Sequence, residues 1–139
     1  MSELDKFSGE IGCGTIVLGD LVRQNITIPE YQRPYIWDSE RVKILLEDLS
    51  GYFESNQNKP DKYLLGSLIL CNGKDKDGKD TLEVVDGQQR LVTLALILRV
   101  LNDSDSSKFL SKSEFAHSQS KTHIKENYDF IKSWFESKD

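Results

Sequence analysis

Apolar and polar positions along the chain alternate between two periods. In "TIVLGDLVRQ" the apolar residues Ile16, Leu18, Leu21 and Val22 predict one or two helical turns. "NITIPEYQRPYIW" alternates Ile26 and Ile28 with polar residues, and its prolines draw the residues before them toward extended backbone. A short strand running into an ordered loop follows from that pattern. From Asp38 the period changes, with Val42, Leu45, Leu46, Leu49 and Phe53 at helical spacing and Lys43, Glu47 and Asp48 between them. Asp38 or Ser39 suits the N-cap of this amphipathic helix and Glu40 its first turn. The turn-forming stretch "SNQNKPDK" ends it.

Beyond it, "YLLGSLILCN" and "TLEVVD" are apolar runs of strand length around "GKDKDGKD", which holds an Asp-Gly pair and no apolar residue, so a hairpin is expected. "LVTLALILRVL" is apolar nearly all round a helical wheel, as a helix at the centre of a small domain would be, and "NDSDSSK" closes it. Near the C-terminus Ile124, Tyr128, Ile131, Trp134 and Phe135 fall at helical spacing. That stripe either packs on this domain or awaits a partner or a continuation of the polypeptide. The organisation expected is α+β: a lead-in over 1–13, a domain over 14–105 with a short mixed sheet packed by helices, and a helical extension over 106–139.

The composition narrows the class. With 139 residues, 37% hydrophobic and 29% charged, the chain can build one core without covalent staples. Cys13 and Cys71 form no CxxC motif or Cys/His cluster, which makes a reducing cytoplasm the default. No segment has the shape of a signal peptide, and the longest apolar run is broken by Thr93 and Arg99, so no membrane is expected. His117 and His123 lie in a polar stretch without metal-ligand companions and read as solvated surface residues. A net charge of −5 disfavours a partner held chiefly by phosphate-backbone attraction, yet leaves local arginines able to bind a small anion.

Candidate chemistry gathers in two places. In "VVDGQQRL", Asp86 suits a helix N-cap, Gln89 falls where a capping box places its glutamine, and Gly87 permits a tight turn. Capping does not require Gln88 or Arg90. A strand, a glycine turn and the N-terminus of a buried helix also make an anion site, to which Arg90 adds a fork of donors and Gln88 and Gln89 add amides. In "IPEYQRPYIW", Tyr31, Tyr35 and Trp37 could be core or rim aromatics, with Gln32 and Arg33 solvated. Together, on a loop stiffened by proline, they also suit a ligand, an aromatic face stacking a base while arginine meets a phosphate. The acidic chain makes a small nucleotide the easier fit than a nucleic-acid strand.

With "YQRPYIW" and "DGQQRL" in this order, and "YLLGSLIL" between them, the sequence resembles the N-terminal domain of the GmrSD family of modification-dependent restriction enzymes. The resemblance implies a fold similar to ParB and sulfiredoxin that binds a nucleoside triphosphate, and a role in phage defence, where nucleotide binding and hydrolysis regulate cleavage of modified DNA. Cleavage would belong to a C-terminal HNH-type nuclease domain with no counterpart in these residues, which reads as a fragment of a longer polypeptide. By position, the motifs fall on Tyr31, Gln32, Arg33, Tyr35 and Trp37, and on Asp86, Gly87, Gln88, Gln89 and Arg90.

On that basis Gln32, Arg33, Tyr35, Trp37, Gly87, Gln88 and Arg90 are expected to hold nucleotide. Asp86 would hold Mg²⁺, and Gln88 or Gln89 would position the attacking water, with Asp86, Gln88 and Gln89 the catalytic candidates. Lacking the lysine of a P-loop, turnover is expected to be slow. The partners implied are nucleotide and, only through a full-length or associated nuclease subunit, modified DNA, with self-association left open. The alternative is a DNA-binding or protein-interaction module without NTPase activity.

Overall fold

The computed structural model describes residues 14–28, 34–55, 65–74, 77–103, 105, 108–110 and 118–137. In chain order the elements are α1 (Leu18–Arg23), β1 (Ile26–Thr27), α2 (Ser39–Ser55), β2 (Ile69–Lys74), β3 (Asp80–Asp86), α3 (Gln88–Val100) and α4 (Ser118–Ser137). The strands form a mixed sheet in the order β1-β3-β2, with β1 parallel and β2 antiparallel to β3. The fold class is therefore α+β, as the two periods predict.

The hairpin forms around the expected turn, where Gly78 has φ 78°. Its first strand begins only at Ile69, with 65–68 irregular, because Gly66 and the contacts described below bend the chain before it can pair. The parallel pair is tied at its start by side chains as well as backbone: Asn25 Nδ2 donates to Asp80 O at 2.6 Å and Thr81 Oγ1 donates to Asn25 O at 2.8 Å. A two-residue strand is thus held in register by bonds that a sheet ladder of that length could not supply.

α3 occupies the centre. Every residue from Leu91 to Ile97 is buried, including Thr93, which is why its sequence shows no polar face. Its end is a Schellman motif, with Asn102 in the left-handed conformation at φ 69° and the Asp103 N–H donating to Leu98 O at 2.9 Å. α2 contributes Val42, Leu45 and Leu46 and is capped by Asp38, whose carboxylate accepts the Arg41 N–H at 3.1 Å. Phe53 departs from the predicted stripe and is 63% exposed. It lies in the last turn of α2, past the half-buried Leu49, and its ring meets Tyr52 edge-on.

α4 resolves the question its stripe raised. Ile131 is fully buried, Ile124, Tyr128, Trp134 and Phe135 pack against the core, and Arg99 of α3 lies 5.1 Å over the Tyr128 ring. The helix packs on α3 and α2 and belongs to the same core as the sheet. Among the described residues no helix is long and apolar enough to cross a membrane.

Candidate functional site

β3 passes into α3 through a single glycine. Ile69 pairs with Asp86 and Leu70 with Val84, which leaves Val85 as the extra residue of a β-bulge. Such a bulge sharpens the strand's twist and turns the chain out of the sheet. Gly87 follows at φ 94°, ψ 8°. A β-carbon on it would stand 2.6 Å from Leu68 Cδ2 and 2.7 Å from Ser67 O, so conformation and space exclude a side chain alike.

Gly87 is itself the N-cap, and no side chain caps the helix. The capping box expected from Asp86 and Gln89 therefore does not form. Asp86 is still the last residue of β3, and Gln89 is the second helical residue, one position short of where a capping box closes. The first intrahelical bond runs from the Leu91 N–H to Gly87 O at 3.1 Å. The N–H groups of Gln88, Gln89 and Arg90 precede that ladder, at the positive end of the helix dipole. Beside them the Asp86 carboxylate is exposed, with no hydrogen bond or ion pair among the described residues.

The three polar side chains that follow have different fates. Gln89 is engaged at both ends: its Nε2 donates to Pro34 O and its Oε1 accepts the Ile36 N–H, each at 2.9 Å. It clamps the backbone of the first motif to the start of α3, so the loop fixes the direction of its amide. Arg90 is exposed, donates from Nη1 to Leu65 O at 2.5 Å, and lies across Gly66, where a β-carbon would come within 3.1 Å of Arg90 Cδ and Nη1. Gln88 is 7% exposed and makes no hydrogen bond among the described residues. The fully enclosed, unpartnered side-chain nitrogen among those residues is His123 Nδ1, so the Gln88 amide still reaches the surface at the end of a mostly buried side chain.

Of the first motif, Tyr31, Gln32 and Arg33 lie outside the described residues. Tyr35 turns inward, 2% exposed. Its N–H donates to Ser120 Oγ at 2.8 Å, and its hydroxyl contacts Thr93 Oγ1 at 2.7 Å and accepts from Asn127 Nδ2 at 2.8 Å. Burial pushes its phenol above the ordinary tyrosine pKa, outweighing the hydrogen bonds to Thr93 and Asn127. A ring so enclosed offers no face to a base. Trp37 is half-buried against the core, and its carbonyl accepts from Asn127 Nδ2 at 2.7 Å. The structure thus joins the two motifs, through Gln89, and sets Tyr35 to hold the loop.

Three residues absent from the sequence-based site complete this arrangement: Thr93, Ser120 and Asn127. The signal for the last two was present, since Ser120 and Asn127 stand four residues before Ile124 and Ile131 and so fall within the buried stripe of α4. His123 corrects the expectation of a solvated histidine. It lies between Ser120 and Asn127 on the inward side of α4 and is half-buried, with Nδ1 enclosed. His117 lies outside the described residues. Among those described, no group of three or more His, Cys, Asp or Glu side chains could hold a metal ion.

Fold and site define a small α+β domain in which a strand meets an uncapped helix through an obligatory glycine, under a loop locked by buried polar contacts. The chain belongs to the family of the GmrSD restriction endonuclease N-terminal domain, whose model matches residues 18–139. That membership makes it a component of a restriction system. No curated protein and no solved structure matches the chain.

Proposed function

We infer that the start of α3 binds the phosphates of a nucleoside triphosphate, and that the chain acts in the cytoplasm as the nucleotide-responsive part of an anti-phage restriction system. One observation carries the reading: Gln88, 7% exposed and without a hydrogen-bond partner among the described residues, lies at an uncapped helix N-terminus. Its amide reaches the surface beside the first turn of the helix, free of protein partners among the described residues, where a ligand oxygen can meet it. Gly87 supports it, because a bare α-carbon lets an anion approach the first amides. Arg90 keeps donors beyond the one given to Leu65 O and can bridge that segment to a phosphate.

The residues present also fit Mg²⁺, which is commonly held by one carboxylate together with phosphate oxygens and water. Asp86, exposed beside the helix start and without a partner among the described residues, would hold it. The ion would supply neutralisation of phosphate charge. In hydrolysis Gln88, whose amide the loop does not hold, or Gln89 through its remaining N–H or lone pair would orient water, and turnover would be slow. Kinship with the ParB and sulfiredoxin folds belongs to the same reading. Modified DNA would be met through a nuclease partner, since the net charge of −5 gives this chain little hold on a phosphate backbone.

Calorimetric titration of each of the four ribonucleoside triphosphates with Mg²⁺ tests the proposal. Micromolar binding is expected, weakened at least tenfold by Gln88→Met, which keeps the volume and removes the amide, and by Arg90→Ala. Binding that survives both substitutions in folded protein would place the ligand elsewhere. No binding by the wild type would leave the α3 start without a nucleotide role.

A further inference from the structure

The polar groups around Tyr35 form a chain with one direction. Thr93 has a single hydroxyl proton, which goes to Gln89 O at 2.9 Å. At the Tyr35–Thr93 contact the phenol is therefore the donor, and its own oxygen accepts from Asn127. Asn127 gives its second amide hydrogen to Trp37 O, and its Oδ1 accepts the Ser39 hydroxyl at 3.4 Å. Tyr35, Thr93, Ser120 and Asn127 are each no more than 2% exposed. The line runs from α4 through the loop to the backbone of Gln89, the residue that clamps Pro34 and Ile36.

Apolar side chains could dock α4 on the core without any of this. A buried polar network instead selects one arrangement, because a slip leaves a buried donor or acceptor unpaired. The arrangement selected here is the position of residues 34–37 over the first turn of α3.

We propose that Asn127, with Ser120, is a positioning residue of the α3 site: α4 fixes the first motif against the second. Resting on the nucleotide reading above, it follows that a ligand held at the α3 start tightens α4. By linkage, loosening α4 at Asn127 weakens the ligand as far as it lowers the population of the ordered loop.

The test compares Asn127→Ala with Tyr128→Leu, which perturbs α4 at its contact with Arg99 and removes no hydrogen bond to the loop among the described residues. Two readouts are used: hydrogen exchange at the Ile36 amide, whose acceptor lies on α3, and calorimetric affinity for the Mg²⁺ triphosphates. Asn127→Ala is expected to speed Ile36 exchange and weaken binding, each at least tenfold, while Tyr128→Leu changes neither by more than threefold. Unchanged Ile36 protection in Asn127→Ala, or equal effects from the two variants, would overturn the proposal. If the wild type binds no triphosphate while Ile36 still responds to Asn127→Ala, the nucleotide reading falls and the positioning by α4 stands. Should Asn127→Ala fail to fold, Ser120→Ala, which removes only the acceptor of the Tyr35 N–H, takes its place with the same expected direction.

Discussion

Gln88 and Gln89 are chemically identical neighbours, and the fold separates them. A helix turns about 100° per residue, so the Gln89 amide meets the loop backbone, which offers both a donor and an acceptor, while that of Gln88 stays unbonded among the described residues. Tyr35 shows a related contrast, because a residue type suited to stacking a base has its hydroxyl placed between Thr93 and Asn127. Tyr35→Phe should cost about 1–3 kcal/mol, the usual penalty for stranding a buried donor, here an Asn127 N–H. It should also alter the alkaline limb of stability. The folded state holds the phenol neutral to higher pH than the unfolded chain, in which tyrosine ionises near pH 10. That contribution is complete below about pH 10 and is lost as pH rises through the higher folded value, so stability falls above pH 10. Urea midpoints measured from pH 8 to 11 should fall less steeply in Tyr35→Phe than in the wild type; parallel curves would mean the phenol is not protected by burial.

The junction of β3 and α3 is built from backbone requirements. The bulge at Val85 turns the strand, Gly87 supplies a left-handed residue, and the irregular 65–68 segment fills the space a side chain would need. Arg90 bonds that segment at Leu65 and covers Gly66, whose φ of 148° also favours glycine. Gly87→Ala combines a strained conformation with a contact to a carbonyl oxygen that cannot rotate away. It should destabilise the chain by about 2 kcal/mol or more, read from denaturant midpoints. A loss below about 0.5 kcal/mol would show that the junction relaxes and that the glycine serves ligand approach alone.

At the scale of the molecule, α4 is part of the core. Removing residues 118–139 would take away the fully buried Ile131 and leave both the N–H and the hydroxyl oxygen of Tyr35 without their α4 partners. Burial of one such apolar side chain contributes about 1.5–3 kcal/mol, and each stranded polar group adds a penalty of similar size, against a total stability of about 5–15 kcal/mol. The shortened chain should lose its cooperative thermal transition. A cooperative melt near that of the full chain would show that α4 is an appendage.

The amino-acid pattern determined what local physics controls. Period and capping placed α2 with its cap at Asp38 or Ser39, of which the structure uses Asp38; the Asp-Gly turn placed the hairpin, and an apolar wheel made α3 central. The glycine junction was also legible, since a chain that leaves a strand and enters a buried helix within a few residues must turn sharply, and Gly87 is the residue there that can. Which polar residues hold the loop and which stay clear of it was decided only by tertiary structure. Asp86 lost the cap because the bulge at Val85 carried the strand through it to Gly87, an effect of its register with β2, the other strand of the hairpin. Gln89 and Tyr35 became structural because α3 and α4 brought them partners more than fifty positions away. Hydrogen bonds between such distant residues leave no periodic trace in a sequence, so the pattern could name the candidates and only the packed chain could divide them.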